Sequence, residues 1–446
     1  MQAELLQTLI VGLGKTGLSC ARYLAAQGES CVVTDTRSQP PGLTELLSEY
    51  PDIPVHVGGF REDDFSAAKR IVLSPGISLK DKHVSSAVQR GAEVLGDIEL
   101  FARTVTAPVV AITGTNGKST VTTLLSEMAT ASGRKVRAGG NLGLPALELL
   151  DSAETDLYVL ELSSFQLETT KSLNAVAAVV LNVTPDHMDR YDNVEQYAQI
   201  KAAVYNGDGV MVINNDDAAV SSMAKSRRKT IRFGLAQPDE GEFGLIHEAG
   251  QTFLGFGTEK LLATDELKIP GRHNQSNALA ALALGVAINL DMSAMIETLR
   301  GFKGLAHRSE WVAEHNGVRW FNDSKATNVG ATVAALEGMP SPLILIAGGD
   351  GKSADFSELH DVIASQAREV ILLGRDADSI EHVIDGAVPV HRAVDMKDAV
   401  KIAQRIAKSG DSVLLAPACA SFDMYNNYME RGDDFAKAVR QEVMHG

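Results

Sequence analysis

The chain has little cysteine: Cys20, Cys31 and Cys419 are the only three in 446 residues, and none stands in CxxC spacing. So odd and sparse a set argues against a disulfide scaffold and against a zinc ribbon. No uninterrupted apolar run reaches the roughly 18 residues of a membrane span, so membrane insertion is not expected. The opening MQAELLQTLIVGLG lacks a positive n-region, and its apolar stretch soon meets a glycine loop, unlike a signal peptide. Basic residues are also in deficit, 41 Lys plus Arg against 57 Asp plus Glu, a formal net charge of -16. No long Lys/Arg run offsets this, so no nucleic-acid or anionic-membrane partner is expected. Any anionic ligand must be held by local groups rather than by the overall field. Repeats and low-complexity tracts are missing too. These absences describe a cytoplasmic protein whose partners are small molecules.

What is present is ordinary globular material, 45% hydrophobic and 22% charged. The length predicts about three domains. Short apolar runs alternate with longer helical patterns: Leu9–Val11, Cys31–Thr34, Ile71–Ser74, Val109–Thr113, Tyr158–Glu161, Ala177–Asn182, Leu343–Ala347, Val370–Leu373 and Val413–Ala416. That alternation predicts an α/β protein built of βαβ units with mainly parallel sheets. The stretch Thr230–Pro270, rich in Gly and Phe with little helical period, predicts a few antiparallel strands attached to the middle domain. Fresh strand-and-loop starts place the boundaries near Gly96–Ile98 and Lys303–Leu305, giving domains 1–97, 98–304 and 305–446.

In open α/β sheets ligands bind beyond the carboxyl ends of strands, so the loops there carry the argument. Gly12-Leu-Gly14-Lys15-Thr16-Gly17 follows one strand and opens a helix, and Asp35 ends the next strand, 18 residues past Gly17. This is dinucleotide-fingerprint spacing: glycines for the turn, a helix N-terminus for phosphate, an acid for ribose. A site of NAD type and a glycine turn without ligand both stay open. Gly114-Thr115-Asn116-Gly117-Lys118-Ser119-Thr120 is sharper, because it ends as a phosphate loop does, in G-K-S/T. There, backbone N–H groups cradle phosphate, lysine neutralises charge and a hydroxyl meets Mg²⁺. It departs from the usual loop at position 112, which is Ile. Glu161 ends an apolar strand beside that loop and suits Mg²⁺ coordination. Asp186-His187-Met-Asp189-Arg190 and Asn141 sit on further loops of the same edge. In the last third, Asp323-Ser-Lys-Ala-Thr327, Gly348-Gly-Asp-Gly-Lys352-Ser353 and Ala418-Cys-Ala-Ser421 also lie after strands, and Lys352 with Ser421 suits a second carboxylate substrate.

Taken together, Gly114 to Thr120, Glu161-Leu-Ser-Ser-Phe-Gln166, Asn182-Val-Thr-Pro-Asp-His187-Met-Asp-Arg, Gly271-Arg-His-Asn274-Gln-Ser-Asn277, His307-Arg308 and Asn322-Asp-Ser-Lys-Ala-Thr-Asn328 resemble the ATP-dependent Mur ligases over essentially the full length. The resemblance implies a Rossmann-like N-terminal domain for a UDP group, a central ATPase domain of P-loop type and a Rossmann-like C-terminal domain. It points to a member taking UDP-N-acetylmuramoyl-L-alanine, D-glutamate and ATP as a monomer, through an acyl phosphate. It implies UDP contacts from Lys15, Thr16, Asp35, Thr36, Arg37 and Gly76. It implies Lys118 on phosphate, Ser119 and Glu161 on Mg²⁺, and His187 on a second Mg²⁺. Lys201 matches a lysine carried as a CO₂-derived carbamate. Asn274, Arg308 and Asp323 match ATP contacts, and Asn141 and His187 also face the muramoyl substrate. Thr327, Lys352, Ser421 and Tyr428 match the D-glutamate pocket, Tyr428 standing where the family is expected to have Phe; its hydroxyl needs a partner. Folylpolyglutamate synthase, which shares the phosphate loop, is the rival within this class, and the UDP-type first domain speaks against it. An NAD-dependent oxidoreductase would leave Gly114 to Thr120 unexplained.

Overall fold

The longest apolar runs become strands buried at every position, as parallel strands covered on both faces require. The computed structural model describes residues 8–150, 154–188, 190–339, 341–352 and 354–443; Asp189, Ser353 and the first half of the opening segment MQAELLQTLIVGLG lie outside them. The chain divides into two compact units, one of Met1–Leu261 with Asn277–Thr298, the other of Leu262–Ser276 with Leu299–Gly446. Among the described residues no helix is long and apolar enough to cross a membrane.

In the first unit, a five-stranded sheet holds β1 (Thr8–Val11), β2 (Cys31–Asp35), β3 (Val55–Val57), β4 (Arg70–Leu73) and β5 (Glu93–Leu95). Its order is β3-β2-β1-β4-β5, parallel throughout. A second sheet collects β6 (Val109–Thr113), β7 (Val136–Gly140), β8 (Leu157–Glu161), β9 (Ala177–Val180), β10 (Val210–Asn214), β11 (Thr230–Phe233), β12 (Phe243–Glu248), β13 (Gln251–Phe256) and β14 (Glu259–Ala263). It runs β14-β13-β12-β11-β10-β9-β6-β8-β7. After β6 the chain goes to β7 and β8 on one side, then to β9 on the other. The loop following β6 therefore lies at a switch point, where open sheets bind ligands. The two sheets share a core that includes Ile10, Leu24, Phe101, Tyr158, Leu160 and Tyr197.

One expectation is corrected. Within Thr230–Pro270, β12 and β13 pair antiparallel as the composition suggested, but β11 runs parallel to β10 and to β12. The connection from β10 to β11 passes through a short helix, Ala218–Ser221, which carries the chain back so that both strands point the same way.

The second unit holds β15 (Glu310–His315), β16 (Val318–Asn322), β17 (Leu343–Ala347), β18 (Ala367–Leu372), β19 (Val390–Arg392) and β20 (Ser412–Leu415), ordered β15-β16-β20-β17-β18-β19. Only β15 is antiparallel to its neighbour. The carboxyl ends of β16, β20 and β17, three adjacent strands, release the loops 323–328, 416–421 and 348–352.

Candidate active site

The loop after β1 is shaped by close backbone packing. A Cβ at Gly17 would stand 1.8 Å from the Gly12 carbonyl oxygen, and Gly12 itself has φ +98°, so neither position accepts a side chain. Lys15 and Thr16 open the helix Lys15–Ala26 beside it. Asp35 is buried, yet its oxygens accept the Leu13 N–H (2.7 Å), the Arg37 N–H (2.8 Å) and the Arg37 guanidinium (2.9 and 2.7 Å). Burial works against its ionisation, but the Arg37 side chain and the two backbone donors outweigh burial and hold its carboxyl below the ordinary value. Asp35 thus orients Arg37, which with Thr36 is exposed at the loop's rim. Gly76 lies on the neighbouring loop, after β4.

The loop after β6 handles charge differently. Gly114 and Gly117 have φ +155° and +82°, and a Cβ at Gly117 would meet the Asn277 Oδ1 at 2.3 Å. From Gly117 the helix Lys118–Ala131 begins, so Ser119 and Thr120 lie in its first turn. The Lys118 ammonium donates to the carbonyls of Gly114 (2.9 Å) and Thr115 (2.8 Å). Thr115 and Asn116 are held by the segment after β9: Thr115 N–H donates to the Asn182 carbonyl, and Asn116 N–H to the Asn182 side chain at 2.8 Å.

Lys201 reaches the same place from the helix Val194–Ala202, whose N-cap Asn193 accepts the Gln196 N–H. Its side chain is buried, donates to the Gly114 carbonyl at 2.9 Å and lies 4.4 Å from the Tyr197 ring centroid. Burial, then the nearby Lys118 charge, push its ammonium down to about 7. Val194, Tyr197, Lys201 and Val204 follow 3–4 spacing, which puts the lysine on the apolar face of its helix; Tyr197 and Lys201 are buried there, and Val204 is buried in the 3-10 turn that follows.

Glu161 ends β8 with its side chain buried. Asn141 grips it twice, Nδ2 donating to Oε1 at 2.6 Å and the backbone N–H to the Glu161 carbonyl at 2.8 Å. The other carboxylate oxygen, Oε2, is buried without a hydrogen-bond partner, an arrangement that is costly unless a cation completes it. A divalent ion fits that orphan oxygen. Among the described residues no group of three His, Cys, Asp or Glu comes together, and the Ser119 hydroxyl in the first turn after Gly117 is the further donor expected from the sequence. His187 sits in a turn with φ +55°, half-exposed, its ring 4.7 Å from Phe165 and 3.5 Å from the Asp186 carboxylate.

The second unit gathers the remaining candidates around its three loops. Asp350 and Ala420 exchange backbone hydrogen bonds, joining the Lys352 loop to the Ser421 loop. Ser421 is buried, and the Lys352 ammonium lies 5.4 Å from the Phe422 ring. Thr327 follows Lys325, whose ammonium donates to the Tyr428 hydroxyl at 3.2 Å and stands 4.4 Å from its ring. The extra hydroxyl at 428 therefore has its partner. Arg431, not singled out from the sequence, is buried and donates to Ser324, Cys419 and Ala420, pinning two of these loops together. Burial pushes its guanidinium down to about 10. Burial likewise raises Asp323 to about 6, against the Ser309 hydroxyl and backbone N–H and the Arg308 charge. Asn274 is buried at the start of the helix Arg272–Ala287, donating to the Pro270 carbonyl.

Residues 6–96 match the N-terminal domain described as Mur ligase MurD-like, residues 112–285 the Mur ligase middle domain, and residues 307–419 the Mur ligase glutamate ligase domain. The chain is 55% identical to the UDP-N-acetylmuramoylalanine–D-glutamate ligase of Nitrosococcus oceani, over 97% of this chain and 96% of that protein. It is 50% identical to the ligase of the same name from Pseudomonas aeruginosa, over 97% of each. Among solved structures, a UDP-N-acetylmuramoyl-L-alanyl-D-glutamate–2,6-diaminopimelate ligase gives a TM-score of 0.61 at 18% identity over 93% of both chains. The UDP-N-acetylmuramate–alanine ligase of Thermotoga maritima gives 0.57 at 16% identity, over 98% and 99%. At those identities the likeness is one of fold.

Proposed function

The chain belongs to the Mur ligase family, and we propose that within it the protein joins D-glutamate to UDP-N-acetylmuramoyl-L-alanine, as a monomer in the cytoplasm. Ligases of this family use ATP and Mg²⁺ and build peptidoglycan precursors. In this reading phosphate passes from ATP to the alanyl carboxylate, giving an acyl phosphate and ADP. The D-glutamate amine then attacks the acyl carbon, and phosphate leaves with the C–O bond electrons.

Two anions must meet for the first step, and Lys118 supplies opposing charge at the phosphate loop. Glu161 and Ser119 would hold one Mg²⁺, His187 and a carbamate on Lys201 a second; the metal stabilises charge on the phosphoryl oxygens. Asn141 fixes Glu161 and faces the substrate together with His187. A carbamate forms when the neutral amine attacks CO₂, making an N–C bond and releasing a proton, and an amine with its pKa lowered to about 7 is suited to that. Gly114 to Thr120, Asn274, Arg308 and Asp323 serve ATP. Lys15, Thr16, Asp35, Thr36, Arg37 and Gly76 serve the UDP end, with Asp35 acting through Arg37. Thr327, Lys352, Ser421 and Tyr428 serve D-glutamate. One observation supports the substrates above all: half or more of the residues, over nearly the whole chain, are shared with relatives of that name. Phosphate release with UDP-N-acetylmuramoyl-L-alanine and each glutamate enantiomer in turn tests the reading. Release with D-glutamate alone is expected, and release with a folate instead would overturn it.

A further inference from the structure

Arg190 closes the Asp-His-Met-Asp-Arg segment. Its side chain is nearly buried, 11% exposed, and so is that of Glu168, at 8%. The guanidinium meets this carboxylate with two parallel bonds, Nε to Oε1 at 3.0 Å and Nη2 to Oε2 at 2.6 Å. Its remaining reach goes to main-chain oxygens of the first domain: Nη1 donates to the Pro75 carbonyl at 2.9 Å and Nη2 to the Ile77 carbonyl at 3.2 Å. The Arg190 plane also lies 4.2 Å from the Phe165 ring, against which His187 rests. Its own backbone N–H donates to the His187 carbonyl, so it closes the turn that sets the His187 conformation. One side chain thus ties together Ser74–Ile77 beside Gly76, the helix Ser164–Leu167 that follows Glu161, and the His187 turn.

Partners of this kind need a planar cation with several fixed donors. Lysine could satisfy one carbonyl but not the carboxylate fork as well. Burial makes the pairing matter, because an unpaired carboxylate in that setting is strongly disfavoured. A second ion pair, Lys80 with Asp192 at 2.7 Å, bridges the same two segments, but both side chains are well exposed. Such surface pairs contribute little.

We propose that Arg190 is a positioning residue for the ligation: it fixes the uridine-side loop at Gly76 against the His187 turn. The inference rests on the reading under "Proposed function", in which one substrate molecule touches Gly76 at its UDP end and His187 at its carboxylate end. If the two contacts are held by different domains, their spacing decides whether the carboxylate arrives at the phosphate loop in line. A displacement of the order of 1 Å costs about 10²-fold in such a geometry. The clamp acts on the distance between the ends, not on either end.

The test therefore separates the ends. In Arg190→Gln, kcat/KM for the full UDP-substrate is expected to fall about 10²-fold, while the Kd of UDP itself stays within about 2-fold and the KM for ATP within about 3-fold. Arg190→Lys should recover part of the loss, Glu168→Gln should show the same split more weakly, and Lys80→Ala should leave all parameters unchanged. A role in general stability alone would lower UDP affinity in step with turnover, and that parallel loss overturns the proposal, as does an unchanged kcat/KM. Hydrogen exchange of the Ser74, Gly76 and Ile77 amides, expected to quicken in Arg190→Lys, reads the clamp without turnover. If the wild-type protein fails to turn over this substrate but the exchange result holds, the functional reading fails and the clamp survives; if exchange is unchanged, the clamp fails.

Discussion

The loop Gly12–Gly17 and the loop Gly114–Thr120 both leave a buried interior strand and feed a helix, yet they treat charge in opposite ways. In the first, a buried acid, Asp35, is neutralised by Arg37 and by backbone donors, and the glycines serve contacts as close as that of Gly17 with the Gly12 oxygen. In the second, two lysines converge on one carbonyl, that of Gly114, and an unpaired carboxylate oxygen waits at the end of β8. The first arrangement is internally balanced and suits holding a ligand. The second brings two lysine ammonium groups to one loop and suits moving a phosphoryl group. A shared strand–glycine–helix outline thus says little about chemistry until the partners of its charges are known.

The comparison breaks most visibly at Lys118. Lys118→Ala should lower kcat by about 10³-fold or more while the affinity for the UDP-substrate stays within about 3-fold. Phosphate release and calorimetric titration measure the two, and equal loss of both would end the division of labour. Next, Lys201→Ala should lower activity about 10²-fold, with partial return on adding short-chain carboxylates. Full activity of that variant, or of wild-type enzyme stripped of CO₂ and bicarbonate, would remove the carbamate. Third, Gly17→Ala should destabilise by about 3 kcal/mol and Gly14→Ala by under about 1 kcal/mol, because a Cβ at Gly14 meets nothing. Urea unfolding of the pair tests whether packing accounts for the first loop's glycines.

Asp97 joins the helix after β5 to the segment after β8. It begins the helix Asp97–Thr104 and accepts a hydrogen bond from Gln166 at 3.0 Å, with its other oxygen buried and unpartnered. Burial raises it to about 6 from 3.8. The folded state therefore holds this proton where the unfolded chain has lost it, so the stabilisation is full below about 3.8 and is lost as pH rises through about 6. Asp97→Asn should remove that slope, gaining about 2–3 kcal/mol on wild type between pH 4 and 7. Parallel pH profiles of the two proteins would contradict it. The smallest expected effect on substrate use is at Arg37: Arg37→Ala should raise the KM for the UDP-substrate about 10-fold and leave that for ATP unmoved.

Much of this was legible because the fold announces itself through buried strands. Val109–Thr113 and Leu343–Ala347 coincide with the runs read from the sequence, and the loops after them carry Lys118 and Lys352 as their position demands. What stayed hidden are pairings set by distance along the chain. Arg190 bonds residues 22, 113 and 115 positions away, and no local spacing marks such a residue. Arg431 is similar, tied to Ser324 across 107 positions. Strand direction was hidden for the same reason. Composition shows that Thr230–Phe233 extends but not which way it runs, since that depends on the connection before it.

The close contact at Gly17 also has a genetic meaning. Every amino-acid change reachable from a glycine codon by one base installs a side chain, and a Cβ there collides with the Gly12 main-chain oxygen, which also accepts the Ser74 hydroxyl. No single-step path leads away from this residue, and a compensating change would have to move the Gly12 peptide itself. A Cβ at Gly14, three positions earlier, meets no atom of the protein. Two glycines of one motif therefore face different packing constraints, and in a saturation library sorted for folding alone Gly17 should be recovered only as glycine while Gly14 scatters.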